Sequence, residues 1–151
     1  MLKQTPVGLD EIIATFGKID NKTFEATNIV NFALPYPLVY DGKEVVRARC
    51  HKLLVENFQQ AFEVIKAAGL QKQATRYGGI YARRSIRGFS SHVSTHSWGI
   101  AIDLEPQSYP LGSRKRMPDE IIKAFENAGF FYGGNFKKRP DPMHFQFATK
   151  Y

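Results

Sequence analysis

Between Trp98 and Leu104 the chain reads Trp-Gly-Ile-Ala-Ile-Asp-Leu. Trp98, Ile100, Ile102 and Leu104 alternate with small or polar residues, which is the period of a half-buried strand. Asp103 interrupts this apolar strand. An unpaired carboxylate in such a place is expensive, so the fold has to bring a metal or another cation to it. That requirement limits the architectures open to this chain.

The rest of the sequence says what can surround such a strand. At 151 residues, 43% apolar and 23% charged, the chain has the length and composition of one soluble globular domain. No internal repeat, low-complexity tract or linker divides it, and residues 1–151 are expected to form a single domain. Three helices are expected. Leu9, Ile12, Ile13 and Phe16 recur at helical spacing before Gly17. Leu54, Phe58, Ala61, Phe62 and Ile65 form one apolar stripe ended by Gly69. Pro118 opens a third helix, with Asp119 and Glu120 at its N-terminal dipole and Gly129 after its end. The segment His144-Phe145-Gln146-Phe147 alternates as a strand, with His144 and Gln146 on one face. Residues 77–89, rich in Gly, Arg and Tyr, suit either strand or loop. Helices first and last with strands grouped after the middle favour α+β over a βαβ array. The expectation is a small, mostly antiparallel sheet flanked by helices.

Several classes are set aside by composition. No apolar run approaches the roughly 18 residues of a membrane span, and Met1 to Pro6 lack the apolar stretch of a secretory signal. Synthesis in the cytoplasm without a signal peptide is expected. Cys50 is the one cysteine, so no internal disulfide forms, and it reads as a small core hydrophobe. The net charge of +7 fits nucleic acid, an anionic membrane surface or an anionic polymer. The basic residues are spread along the chain, apart from Lys72 to Arg87 and Arg114-Lys115-Arg116. Neither stretch matches a nucleic-acid-binding motif, and charge alone does not choose among the three; nucleic-acid binding is not expected, nor, without an apolar span, is membrane insertion.

Two histidines keep company that suits chemistry. His96 lies in Ser94-Thr95-His96-Ser97-Trp98-Gly99, and His144 in Asp141-Pro142-Met143-His144. Seven extended residues span about 23 Å, and odd spacing puts His96 and Asp103 on opposite faces of a straight strand. If both bind one metal, the chain must fold back between them, and Gly99 is the residue that permits it. His96 then sits on an incoming loop and Asp103 on the strand. Two imidazoles and a carboxylate suit zinc, and three protein ligands leave the fourth position of a catalytic site open. Asp141, set by the turn at Pro142, is the candidate general base. A serine-hydrolase triad of Ser94, His96 and Asp103 is the weaker reading: no nucleophile elbow is present, and His144 would have no role. His92 is expected outside the metal shell, and His51 to have a packing or helix-surface role.

Ser94-x-His96-x-x-Gly99-x-Ala101-x-Asp103, followed by Asp141-x-x-His144, resembles the signature of the D-alanyl-D-alanine carboxypeptidase and L-alanyl-D-glutamate endopeptidase family. These are zinc peptidases of bacterial cell wall, including VanY-type enzymes and phage endolysins. Phe32-Ala33-Leu34-Pro35, the helix from His51 to Gly69, and Met117 through Gly134 resemble the endolysin-like branch. The resemblance implies a hedgehog/DD-peptidase-like fold. It implies that His96, Asp103 and His144 hold one zinc ion, that Asp141 is the acid/base, and that Ser94 helps hold substrate. Arg84 is the best match for an arginine that binds substrate and stabilises the oxyanion, with Arg83 and Arg87 as close competitors. Two positions depart from the pattern. Gln146 stands where many relatives have Glu, and Tyr132 and Phe136 replace tryptophans near the Gly-Gly turn.

The implied function is hydrolysis of the peptidoglycan stem peptide, first at the L-alanyl-D-glutamate bond, by a monomer that reaches the wall after release, as in phage or prophage lysis. Removal of a terminal D-alanine is the alternative within the family. A non-catalytic wall-binding module is the alternative of another class.

Overall fold

The computed structural model describes residues 1–20 and 22–151, the side chains of residues 89–91 excepted. Helix α1 (Gly8–Phe16) ends at Gly17, where the positive φ of 96° suits a residue without Cβ. A short helix α2 (Phe24–Asn28) leads into strand β1 (Ile29–Tyr40), which pairs antiparallel with β2 (Lys43–His51). Helix α3 (Val55–Ala67) follows a 3₁₀ turn and buries Phe58, Ala61, Phe62 and Ile65, the stripe expected from their spacing. Strands β3 (Tyr77–Gly79), β4 (Ser85–Ile86), β5 (Phe89–Val93) and β6 (Ala101–Leu104) come next. Helix α4 (Asp119–Asn127) begins directly after Pro118, and β7 (Phe131–Tyr132) and β8 (His144–Gln146) complete the chain.

The principal sheet is four-stranded and antiparallel, in the order β3-β6-β8-β7. The fold is α+β, as the sequence implied. One expectation is corrected: strands are not confined to the second half, because the long β1–β2 hairpin occupies residues 29–51. Its Asp41-Gly42 corner has positive φ at both residues, the form a tight hairpin favours.

Helix α4 covers one side of the sheet, and α3 packs against α4 and β1. Phe125 of α4 stacks on Phe145 of β8 with ring centroids 4.3 Å apart, and Phe58 of α3 meets Phe130 at 4.7 Å. Cys50 is fully buried in this apolar mass, and burial pushes its thiol up to about 12. With Phe145 committed to the helices, the period-2 alternation of β8 turns His144 and Gln146 to the other side. Among the described residues, no helix is long and apolar enough to cross a membrane.

Candidate metal centre

The first motif folds back where the chain geometry required it. Thr95–Trp98 form a 3₁₀ turn, capped by the Ser94 hydroxyl, which accepts from His96 N at 3.3 Å. The turn ends at Gly99, with φ 70°. A Cβ on Gly99 would lie 2.8 Å from His51 N and 2.9 Å from Ile29 Cδ1, so both conformation and space demand glycine. Strand β6 then starts and carries Asp103 to the site. In the antiparallel register Asp103 stands directly opposite His144, and such cross-strand partners share a face.

His96, Asp103 and His144 are all buried, and each offers a ligand atom within 4.8 Å of the others. His144 Nδ1 is 2.9 Å from Asp103 Oδ1, and His96 Nε2 is 3.2 Å from Asp103 Oδ2. The outer nitrogens are also engaged. His96 Nδ1 faces the Ile80 carbonyl at 2.7 Å, and His144 Nε2 faces Gln146 Oε1 at 2.9 Å. The Gln146 amide nitrogen donates to the carbonyls of Ala148 and Tyr151, which fixes its oxygen toward His144. Oxygen acceptors on the outer side assign the protons to His96 Nδ1 and His144 Nε2. The inner nitrogens then turn lone pairs toward the carboxylate, and His96 Nε2 has no hydrogen-bond partner among the described residues. Three electron-rich groups converging in a buried place fit a divalent cation.

Without such a cation a proton takes its part. Burial favours a neutral Asp103, but the His96 and His144 imidazoles outweigh it and hold the carboxyl far below the usual range. Burial likewise opposes a charged His144, yet the hydrogen bond and charge of Asp103 raise its imidazole.

The cluster lies in a cleft of about 870 Å³ whose walls include Arg84, Arg87, Ser94, Phe136 and Asp141. Asp141 Oδ1 is buried, with no hydrogen-bond partner among the described residues. Burial raises the Asp141 carboxyl, the charge of His144 opposes that rise, and the charge of Asp103 adds to it. Arg84 Nη2 comes to 3.7 Å from Asp103 Oδ2. Arg87 also lines the cleft, whereas Arg83 is not among its walls. Ser94 faces the cleft while also serving as the cap. His92 lines the cleft without joining the three-residue group. His51 is a packed residue against Phe16, with its Nδ1 accepting from Leu53 N and its Nε2 on the Phe16 carbonyl.

The two aromatic departures separate. Phe136 lines the cleft, its ring 6.3 Å from that of His144. Tyr132 is fully buried, donating to Pro142 O and accepting from Met117 N, so it is a core residue. Thr95, whose hydroxyl donates to Gln146 Oε1 at 3.1 Å, gave no signal in the sequence. Lys138, Arg139 and Lys150 also line the cleft although no motif contains them.

Fold and site together define a class: a small antiparallel sheet that presents two imidazoles and a carboxylate, able to hold one metal ion, beside a half-buried carboxyl in an open cleft. Residues 87–147, the stretch that carries both motifs, match the family model of D-alanyl-D-alanine carboxypeptidases. The resemblance read from the motifs is thereby borne out, although Arg84 precedes the matched stretch. No curated protein and no solved structure matches the chain. The family match supports an enzyme, a peptidase that acts on peptidoglycan.

Proposed function

We propose that the protein is a zinc-dependent endopeptidase of the peptidoglycan stem peptide, cutting the L-alanyl-D-glutamate bond. In this reading His96 Nε2, the Asp103 carboxylate and His144 Nδ1 hold one zinc ion. The observation that carries it is the convergence of those three ligand atoms, two of them lone pairs aimed at a carboxylate.

Zinc held there supplies Lewis acidity, polarising the scissile carbonyl and easing deprotonation of water. Asp141 takes a proton from the attacking water and returns it to the leaving nitrogen, so water adds across the broken C–N bond. The raised Asp141 carboxyl suits both halves of that transfer. Arg84, beside Asp103 on the open side, neutralises charge that develops on the carbonyl oxygen or rests on a substrate carboxylate. Ser94 steadies the peptide at the cleft wall. The chain acts as one domain and as a monomer, and reaches the wall after release from the cell.

Digestion of purified wall, with mass identification of the new ends, tests this reading. New N-terminal D-glutamate is the expected product. Free D-alanine would instead establish the carboxypeptidase activity for which the matched family is described. Wall binding without turnover in the presence of zinc would favour the non-catalytic module.

A further inference from the structure

Ser97 occupies an unspecified position of the first motif, yet the two short hydrogen bonds of its hydroxyl go to one residue, with the Ala82 carbonyl further off at 3.5 Å. The hydroxyl accepts from Arg84 N at 3.0 Å and donates to Arg84 O at 2.9 Å. The same 3₁₀ turn grips the segment between β3 and β4 at alternate residues: His96 Nδ1 faces Ile80 O at 2.7 Å, and Ala82 N donates to His96 O at 3.1 Å. Ser94 N adds a second bond to Arg84 O at 2.9 Å. Ser97 itself is fully buried.

We infer that Ser97 is a positioning residue, which registers Arg84 against the turn that carries His96 and so holds the guanidinium at the Asp103 side of the cleft. The Arg84 side chain is 37% exposed, so packing alone does not fix it. Regular structure beside it is also slight, since β4 comprises only Ser85–Ile86. The backbone anchor must therefore supply the placement, and a positioned charge is worth far more to a transition state than a mobile one. Among the described residues the Arg84 N–H donates to Ser97 Oγ alone, whereas the Arg84 carbonyl keeps Ser94 N when the hydroxyl is removed. The inference rests on the reading of Arg84 as a substrate arginine.

A double-mutant cycle tests it: kcat/KM on a soluble stem peptide for wild type, Ser97→Ala, Arg84→Ala and the double variant, each with zinc content measured. We expect Ser97→Ala to lower kcat/KM by about tenfold with zinc content unchanged, and to cost nothing further once Arg84 is alanine. Ser97→Cys, which fills the same space with a poor hydrogen-bonding group, should behave as Ser97→Ala and serves if the alanine variant does not fold. Amide exchange at Arg84 should quicken by tenfold or more in either variant, a readout independent of turnover. An equal loss in the Arg84→Ala background, a loss of zinc, or unchanged Arg84 exchange overturns the inference. An active wild type with unimpaired Arg84→Ala would instead sink the reading of Arg84 itself.

Discussion

Asp103 and His144 face each other across the β6–β8 pair, with Oδ1 and Nδ1 2.9 Å apart. The carboxylate raises the His144 imidazole above its ordinary value, so a proton competes with zinc for the same lone pair. Zinc affinity is expected to fall about tenfold per pH unit below that raised value, for each proton displaced. Asp103→Asn should weaken binding and move the pH dependence toward acid, because the raising charge is gone. Chelator competition from pH 5 to 9 measures both; pH-independent affinity would contradict the competition.

Asp141 brings no ligand atom to the three-residue group, so its loss should spare the metal. Asp141→Asn is expected to keep zinc and lower kcat by about 10²–10⁴-fold, the usual contribution of a general base. Because its carboxyl is raised, the acid limb of the wild-type rate should lie above the ordinary aspartate value, with activity rising as the carboxylate forms. Full turnover by Asp141→Asn would remove it from the mechanism.

Gln146 accepts from His144 Nε2 through Oε1 and is held from behind by two carbonyls. The departure from glutamate therefore keeps the oxygen acceptor and drops only its charge. Gln146→Leu should weaken zinc binding by about 10–100-fold, while Gln146→Glu should retain it. Isothermal titration with zinc distinguishes them, and equal affinity in the leucine variant would deny Gln146 a role in orienting the ligand.

His51 provides a pH test remote from the cleft. Burial pulls its imidazole down to about 4 from 6.5, so the neutral ring is the folded form. Stability from this residue is whole above pH 6.5 and is lost as pH falls through the folded value, because the unfolded chain takes the proton first. Each tenfold difference in proton affinity between the folded and unfolded chain is worth about 1.4 kcal/mol, so the loss amounts to about 3 kcal/mol. Urea unfolding at pH 7 and pH 4.5, compared between wild type and His51→Gln, isolates it from other groups. A slope common to both would place the titration elsewhere.

How much of this was legible in advance depended on the range of the interaction. The stripe in α3 and the stop at Gly69 are local, and both appear in the fold. Parity also placed His144 and Gln146 on one face, where they meet. The return of the chain at Gly99 followed from strand rise and parity once His96 and Asp103 were taken to share a metal. The β1–β2 hairpin was harder to see because prolines at 35 and 37 break its alternation, and the register shifts between Ala33 and Leu38. The Ile80 carbonyl behind His96 and the Ser97 clamp on Arg84 join residues 13 to 16 positions apart through backbone groups that every residue shares. No residue type announces them.

Gly99 offers the most direct test of the fold-back itself. Alanine there would have to hold φ near 70°, in the left-handed region that costs an L-residue about 1–2 kcal/mol. Its Cβ would also press on His51 N at 2.8 Å, a backbone atom fixed by its hydrogen bond to Gly99 O. Overpacking of this kind adds about 1–3 kcal/mol. Gly99→Ala should therefore destabilise the protein by about 2–5 kcal/mol, lowering Tm by roughly 5–15 °C for a domain of this size. Because relief of the clash displaces the turn that carries His96, zinc affinity should fall with stability. Calorimetry beside zinc titration decides it: a variant of wild-type Tm and wild-type affinity would show that the turn does not depend on glycine.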